Sequence, residues 1–270
     1  MVREPAVDGQ FYPDNRAELE SMIGRFTPED AEQTSALGAL TPHAGYLFCG
    51  DIMGRLFAGL QIPETVLILN PSHRARRPSV ALWPGEAWKT PLGEVPHDGD
   101  LCADLAELPM VTEDRRAHRG EHAGEVVLPF LQYHQPDLRV AIACITPDAG
   151  LDELLKLGNS VAELAEERDD LLVVASSDMS HESGPDAEDV VKENDPKAIE
   201  KMEQLDPKGL VKVCRDQNVT MCGVLPAAVM MQSVKARGGT AGTLVGRGTS
   251  ADSPYSSPGY VVGYAGMRFS

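Results

Sequence analysis

Two runs in the sequence, Val66–Leu69 and Leu171–Ala175, are apolar at every position. A strand with one wet face alternates polar and apolar residues, so runs like these predict strands buried on both faces. Strands of that kind need a helix on each side of the sheet, and the intervening segments supply helical patterns. Helices are expected over Arg16–Arg25, Asp51–Leu60, Asp98–Leu108, Glu121–Tyr133 (interrupted by Pro129), Asp152–Glu167, Ala187–Leu205 and Pro207–Cys214, with one more opening near Cys222 and running through Val229–Val234. Further strands are expected at Leu37–Leu40, Val80–Trp83 and Val140–Ile145, and an aromatic, β-branched strand at the end of the chain. A Pro/Gly-rich excursion follows Val80–Trp83 through Gly93, and TPEDAEQTSA reads as an acidic linker inside the fold. The acidic runs Glu163–Asp170 and Asp186–Asp189 read as solvated helix faces or turns. No internal repeat or interdomain linker breaks the pattern across 270 residues. The expected fold is therefore α/β: a single domain over 1–270 with a central, mostly parallel or mixed sheet flanked by helices.

Charge narrows the partners. The formal net charge is −17, whereas binding to nucleic acid or to an anionic membrane needs a basic face that neutralises phosphates. Neither partner is expected. The N-terminus is acidic and broken by Pro5, Gly9 and Pro13, unlike a signal peptide, and no apolar run approaches the roughly 20 residues of a membrane span. Five cysteines, an odd number without a CxxC pair, fit neither a disulfide framework nor a zinc-finger spacing. A reducing cytoplasm is the expected location.

Three apolar runs end alike: Leu37–Leu40 leads into Thr41-Pro42-His43, Val66–Leu69 into Asn70-Pro71-Ser72-His73, and Leu171–Ala175 into Ser176-Ser177-Asp178-Met179-Ser180-His181. Loops after the carboxyl ends of parallel strands share one edge of the sheet, where ligands bind. Three of seven histidines are thus expected to converge. A single loop histidine reads equally as a side chain bonded to a nearby carbonyl, but imidazole is also the commonest metal ligand and a proton carrier near neutral pH. Cys222 lies at an expected helix start, where backbone amides favour the thiolate that binds metals, or else it is a small buried hydrophobe like Cys102, Cys144 and Cys214. Glu121 and His122 open another expected helix, where Glu121 is either a site residue or a favourable N-terminal charge. There is no GxGxxG, P-loop, HExxH or GxSxG motif to support nucleotide binding or serine hydrolysis.

The segments VREPAVDGQFYP, TPHAGYLFCG, NPSHR, TPLGEV, EHAGEVVLPFLQ, VASSDMSH, LDPKGL, MCG and SPGYVVGYAG, in that order from residue 2 to residue 266, resemble the Memo family, also known in prokaryotes as AmmeMemoRadiSam system protein B. The resemblance implies an α/β domain similar to the class III extradiol dioxygenases of the LigB type, which hold non-haem Fe(II) on two histidines and a glutamate. It implies one metal ion per chain (iron or copper, with zinc as a third candidate) on His43, His73 and Cys222. His181 stands in the place of the dioxygenase acid/base with Asp178 beside it, and Glu121 and His122 lie near the pocket. The thiolate in place of the carboxylate makes the donor set softer than a dioxygenase's and puts ring cleavage in doubt. The activity implied is that of a metal-dependent oxidoreductase of unknown substrate. A non-catalytic metal- or peptide-binding module, or a partner of a radical-SAM protein, is the alternative, and a hydrolytic zinc enzyme is a third reading. The pocket is expected to take a small molecule or a peptide.

Overall fold

The computed structural model describes residues 1–168 and 170–270. The chain opens with β1 (Val2–Arg3), α1 (Arg16–Phe26), β2 (Gly38–Thr41), α2 (Tyr46–Ala58) and β3 (Thr65–Pro71). Three short strands follow, β4 (Val80–Leu82), β5 (Ala87–Thr90) and β6 (Gly93–Pro96), and then α3 (Gly99–Ala106), β7 (Val111–Glu113), α4 (Arg115–His118) and α5 (Leu128–His134). The second half runs β8 (Arg139–Ile145), α6 (Leu151–Glu166), β9 (Leu171–Ser176), β10 (His181–Ser183), α7 (Ala187–Glu203), α8 (Pro207–Asp216), α9 (Val224–Ala236), β11 (Gly242–Thr249) and β12 (Tyr260–Phe269).

The large sheet has the order β10-β12-β2-β9-β3-β8-β4-β7, and β11 also pairs with β12. Its centre, β2-β9-β3-β8, is parallel throughout, while β12 and β4 join it antiparallel. The sheet is therefore mixed. Every residue of β3 and β9 is buried, and alternate side chains point to opposite faces. Leu67, Leu69, Val173 and Ala175 pack with Leu154, Leu157 and Val161 of α6 and Val229 and Met230 of α9. Val66, Ile68, Leu172 and Val174 pack on the other face with Ile23 of α1, Met53 and Phe57 of α2 and Phe130 of α5. These are three layers, helix on sheet on helix, and each fully buried Leu, Val or Ile contributes about 1.5–3 kcal/mol.

Several boundaries differ from expectation. α2 begins at Tyr46, not Asp51, because Gly45 stands as its N-cap directly after the His43 loop. The helix expected over Glu121–Tyr133 is confined to Leu128–His134: Glu121 and His122 lie in an irregular loop, and Ala123–Val127 form turns. The Pro/Gly-rich excursion carries β5 and β6, which with β1 make a separate three-stranded sheet. Within the run Glu163–Asp170, Glu163, Glu166, Glu167 and Asp170 are exposed, while Asp169 lies outside the described residues. Among the described residues no helix is long and apolar enough to cross a membrane.

Candidate metal centre

Adjacency in the sheet brings the loops together. β2, β9 and β3 are neighbours and parallel, so His43, Asp178 and His73, two, two and two residues beyond their ends, leave from one edge. Cys222 arrives from a different direction, on the turn before α9. Gly223 makes that approach feasible: a Cβ there would overlap the Ser176 carbonyl oxygen and the Ser177 side chain. Its amide instead donates to Ser177 Oγ at 2.8 Å, tying the start of α9 to the end of β9.

His43 is buried, and its Nδ1 stands 2.8 Å from Ser176 Oγ. A hydroxyl has one proton to give, and Ser176 gives it to the Ala123 carbonyl at 2.6 Å. His43 Nδ1 therefore donates, and its Nε2 presents a lone pair 3.4 Å from Cys222 Sγ. His73 is set the same way by a different acceptor. Its Nδ1 donates to Glu121 Oε1 at 2.9 Å and its amide to Glu121 Oε2 at 2.7 Å. The Ala123 amide adds a third bond to Glu121 Oε1 at 3.0 Å. One ligand atom each from His43, His73 and Cys222 lies within 4.8 Å of the others. Ligands bound tetrahedrally at about 2.0–2.3 Å stand about 3.3–3.8 Å apart, so the observed spacing suits a shared ion.

Electrostatics give each donor a definite state. Burial lowers His43, and the neighbouring His122 and His73 lower it further, so it is a neutral ligand. Burial by itself raises Glu121, but its bonds to His73 and to the two amides outweigh that and hold the carboxyl at about 2. Burial lowers His73 while the Glu121 bond raises it, and the bond wins. Burial, followed by the Asp178 carboxylate, raises Cys222. The expectation that a helix start favours thiolate here is thus corrected: desolvation exceeds the help of the amides, Cys222 lies two residues ahead of α9, and metal binding must displace its proton.

His122 stacks on His73 with ring centroids 4.9 Å apart and meets His43 edge-on at 5.4 Å. His73, Glu121 and His122 also lie within ligand distance of one another, but Glu121 already accepts three bonds. Asp178 accepts from the His43 amide at 2.8 Å and does not hydrogen-bond His181 among the described residues. Thr220 does so: the His181 amide donates to Thr220 Oγ1 at 2.7 Å, and His181 Nδ1 donates to the Thr220 carbonyl at 3.3 Å. His181 is half-buried, outside the ligand group, and lines a cavity of about 330 Å³ together with Asp178 and His122.

The cavity's remaining lining comes from α2 and its N-cap, from residues 250–264 and from an N-terminal segment, none of which sequence reasoning assigned to the site. Gln10 and Phe11 line it, and Phe11 packs edge-on against His122 at 4.9 Å. The segment is anchored by Glu125, fully buried, which accepts from Arg3 Nη1 at 2.6 Å, the Ala6 and Val7 amides at 2.9 and 3.0 Å, and Tyr12 OH at 2.8 Å. Ser176, Thr220 and Glu125 carried no local signal beyond lying in or beside the motifs quoted above.

A family model described as "Memo-like protein" matches residues 3–268. A MEMO1 family protein of Aquifex aeolicus is similar at 36% identity over 274 residues, 99% of each chain. Another, from Methanopyrus kandleri, is 36% identical over 287 residues, covering 100% of this chain and 99% of the relative. The crystal structure of an uncharacterized Escherichia coli K12 protein is similar with a TM-score of 0.52 at 17% identity, over 86% of this chain and 98% of that one. At that identity the likeness is one of fold.

Proposed function

The chain belongs to the Memo-like protein family, and from that premise we propose that it binds one non-haem iron or copper ion on His43 Nε2, His73 Nε2 and Cys222 Sγ and acts as a metal-dependent oxidoreductase. The observation that carries the reading is the convergence of three donors within 4.8 Å, with the other nitrogen of each imidazole already engaged by Ser176 or Glu121. Neighbours that fix ring orientation and tautomer in this way are what metal-ligating histidines need. Two imidazoles and a thiolate suit iron, copper or zinc, and three protein ligands leave a coordination position open. When bound, the ion supplies Lewis acidity and, for iron or copper, a change of oxidation state.

The remaining side chains do the positioning and the proton work. The Thr220 carbonyl accepts from His181 Nδ1, which leaves Nε2 as the free acceptor of a ring that lines the cavity; His181 thereby serves as acid/base. Asp178 braces the His43 loop through its amide. All five cysteines are free, as suits the reducing cytoplasm we assign to the protein. Metal analysis of anaerobically purified protein tests the reading: iron or copper near one per chain is expected, and its absence from His43→Ala. Oxygen consumption with reductants present should fall in His181→Ala with metal retained. Wild-type protein that takes up no metal from iron, copper or zinc salts defeats the proposal.

A further inference from the structure

Aromatic residues are scarce in this chain, yet three of its six tyrosines and two of its six phenylalanines line the single cavity beside His122 and His181: Phe11, Phe48, Tyr255, Tyr260 and Tyr264. Among the described residues these rings form no pair with one another, and Phe11 pairs only with His122. Among the described residues the guanidinium–ring contact, Arg3 over Trp88, is made elsewhere. No lysine or arginine lines the cavity, and its one acidic side chain is the nearly buried Asp178. The mouth is open, with Tyr255 62% and Tyr260 47% exposed.

Ring faces carry negative charge, and several rings about a space that also holds a carboxylate and no lysine or arginine form an environment that attracts a cation lacking strong hydrogen-bond donors, with His122 and His181 uncharged at alkaline pH. Filling the space with a neutral apolar side chain of the protein's own would have been the simpler way to cover these rings. The overall charge of −17 draws cations toward the mouth. We propose that this cavity is a subsite for an organic cation, an alkylammonium group seated among Phe11, Phe48, Tyr255, Tyr260 and Tyr264, carried by the molecule that reaches the His122–His181 end. The proposal shares the cavity with the metal-site reading but takes from it only the direction in which the rest of the ligand points.

The test uses metal-free, full-length protein at pH 8 and about 0.15 M salt, which screens diffuse surface attraction. Choline is titrated calorimetrically against 3,3-dimethylbutan-1-ol, which has the same shape without the charge. Choline is expected to bind at least about fivefold more tightly than the alcohol, and Tyr260→Leu and Tyr255→Leu should each weaken choline about three- to tenfold while moving the alcohol less than about twofold. Equal affinity for the two probes identifies a plain apolar cavity and overturns the proposal. Choline binding untouched by either substitution identifies diffuse attraction to an acidic surface and overturns it too, as does no choline binding at all. Because metal is absent from both arms, a failure here is separate from a failure of the metal reading, which shows as protein that cannot be loaded.

Discussion

Cys222 differs from its four fellow cysteines by position alone. Burial raises Cys49, Cys102, Cys144 and Cys214 just as it raises Cys222, and Cys144 and Cys102 also have a histidine nitrogen beside the sulfur; among the described residues it is the company of two imidazoles, His43 and His73, within 4.8 Å that singles out Cys222. Cys222→Ser should lower metal affinity well over about tenfold, since changes outside the ligand sphere alone cost about 10–100-fold, and Cys214→Ser should leave it unchanged; anaerobic competition with a chelating dye measures both. The histidines set a pH dependence for the metal-free protein. His43, His97, His118, His122 and His134 are lowered, the first cause in each being burial, against His73 alone raised. A lowered histidine takes up a proton on unfolding between its folded and unfolded values, so its contribution is complete above about 6.5 and is lost as pH falls toward about 4, where His97 and His118 titrate. His73 acts in the opposite sense, as do Asp8, Asp178 and Asp195, whose carboxyls burial raises, so the share of one histidine is read from its variant. From pH 4 to pH 7, His118→Gln should therefore gain less in urea midpoint than the wild type does; a variant whose midpoint parallels the wild type across that range contradicts the assignment.

Helices and strands meet the site through contacts that leave no room for a side chain. Gly223→Ala pushes a methyl against the Ser176 carbonyl and the Ser177 side chain, so it should lower both the melting temperature and metal affinity. Gly54→Ala, whose Cβ would overlap the Phe26 backbone where α2 crosses α1, should lower the melting temperature and leave affinity alone. Gly99→Ala has nothing within 4 Å of the added Cβ and serves as the silent control. The same scale shows what the sequence made legible. β3 and β9 were plain because a run apolar at every position has few other uses, and the histidines at strand ends were plain because parallel strands put their exits on one edge. β11 was invisible: Gly242, Gly246 and Gly248 break any strand pattern, and it is pairing with β12 that makes the segment extended. Thr220 and Ser176 were silent for a related reason. A hydroxyl that sets a tautomer is defined by what lies across from it, 39 residues away for Thr220 and His181, and no local pattern encodes that. Cys222 became readable through family resemblance, not through its own surroundings.

Taken whole, the molecule gathers Arg3, Ala6, Val7 and Tyr12 of its N-terminal segment on one buried carboxylate, beside the pairing of β1 with β5. Arg3 and Glu125 are 7% and 0% exposed, and the Arg3 guanidinium also donates to the His118 and Glu121 carbonyls while lying 4.0 Å from the centre of the Trp88 ring. Removing one member of a buried ion pair strands the other, at a cost of about 3–5 kcal/mol. Arg3→Ala should therefore destabilise the whole fold by that order in chemical denaturation, and Arg3→Lys should recover only part of it, because a single ammonium cannot reach all three acceptors. A loss under about 1 kcal/mol for Arg3→Ala would mean that water reaches Glu125 and that the anchor is looser than drawn.

β12 lies inside the large sheet, bonded to β10, β11 and β2, and residues 255–264 line the same cavity as Phe11. On the ribosome, therefore, one wall of the cavity is made long before the other. Until Met267–Phe269 pair with it, β2 has an unsatisfied edge. A nascent chain in that state can pair its bare edge with a neighbour's, so the hazard of synthesis is concentrated in the interval between the making of β2 and the making of β12.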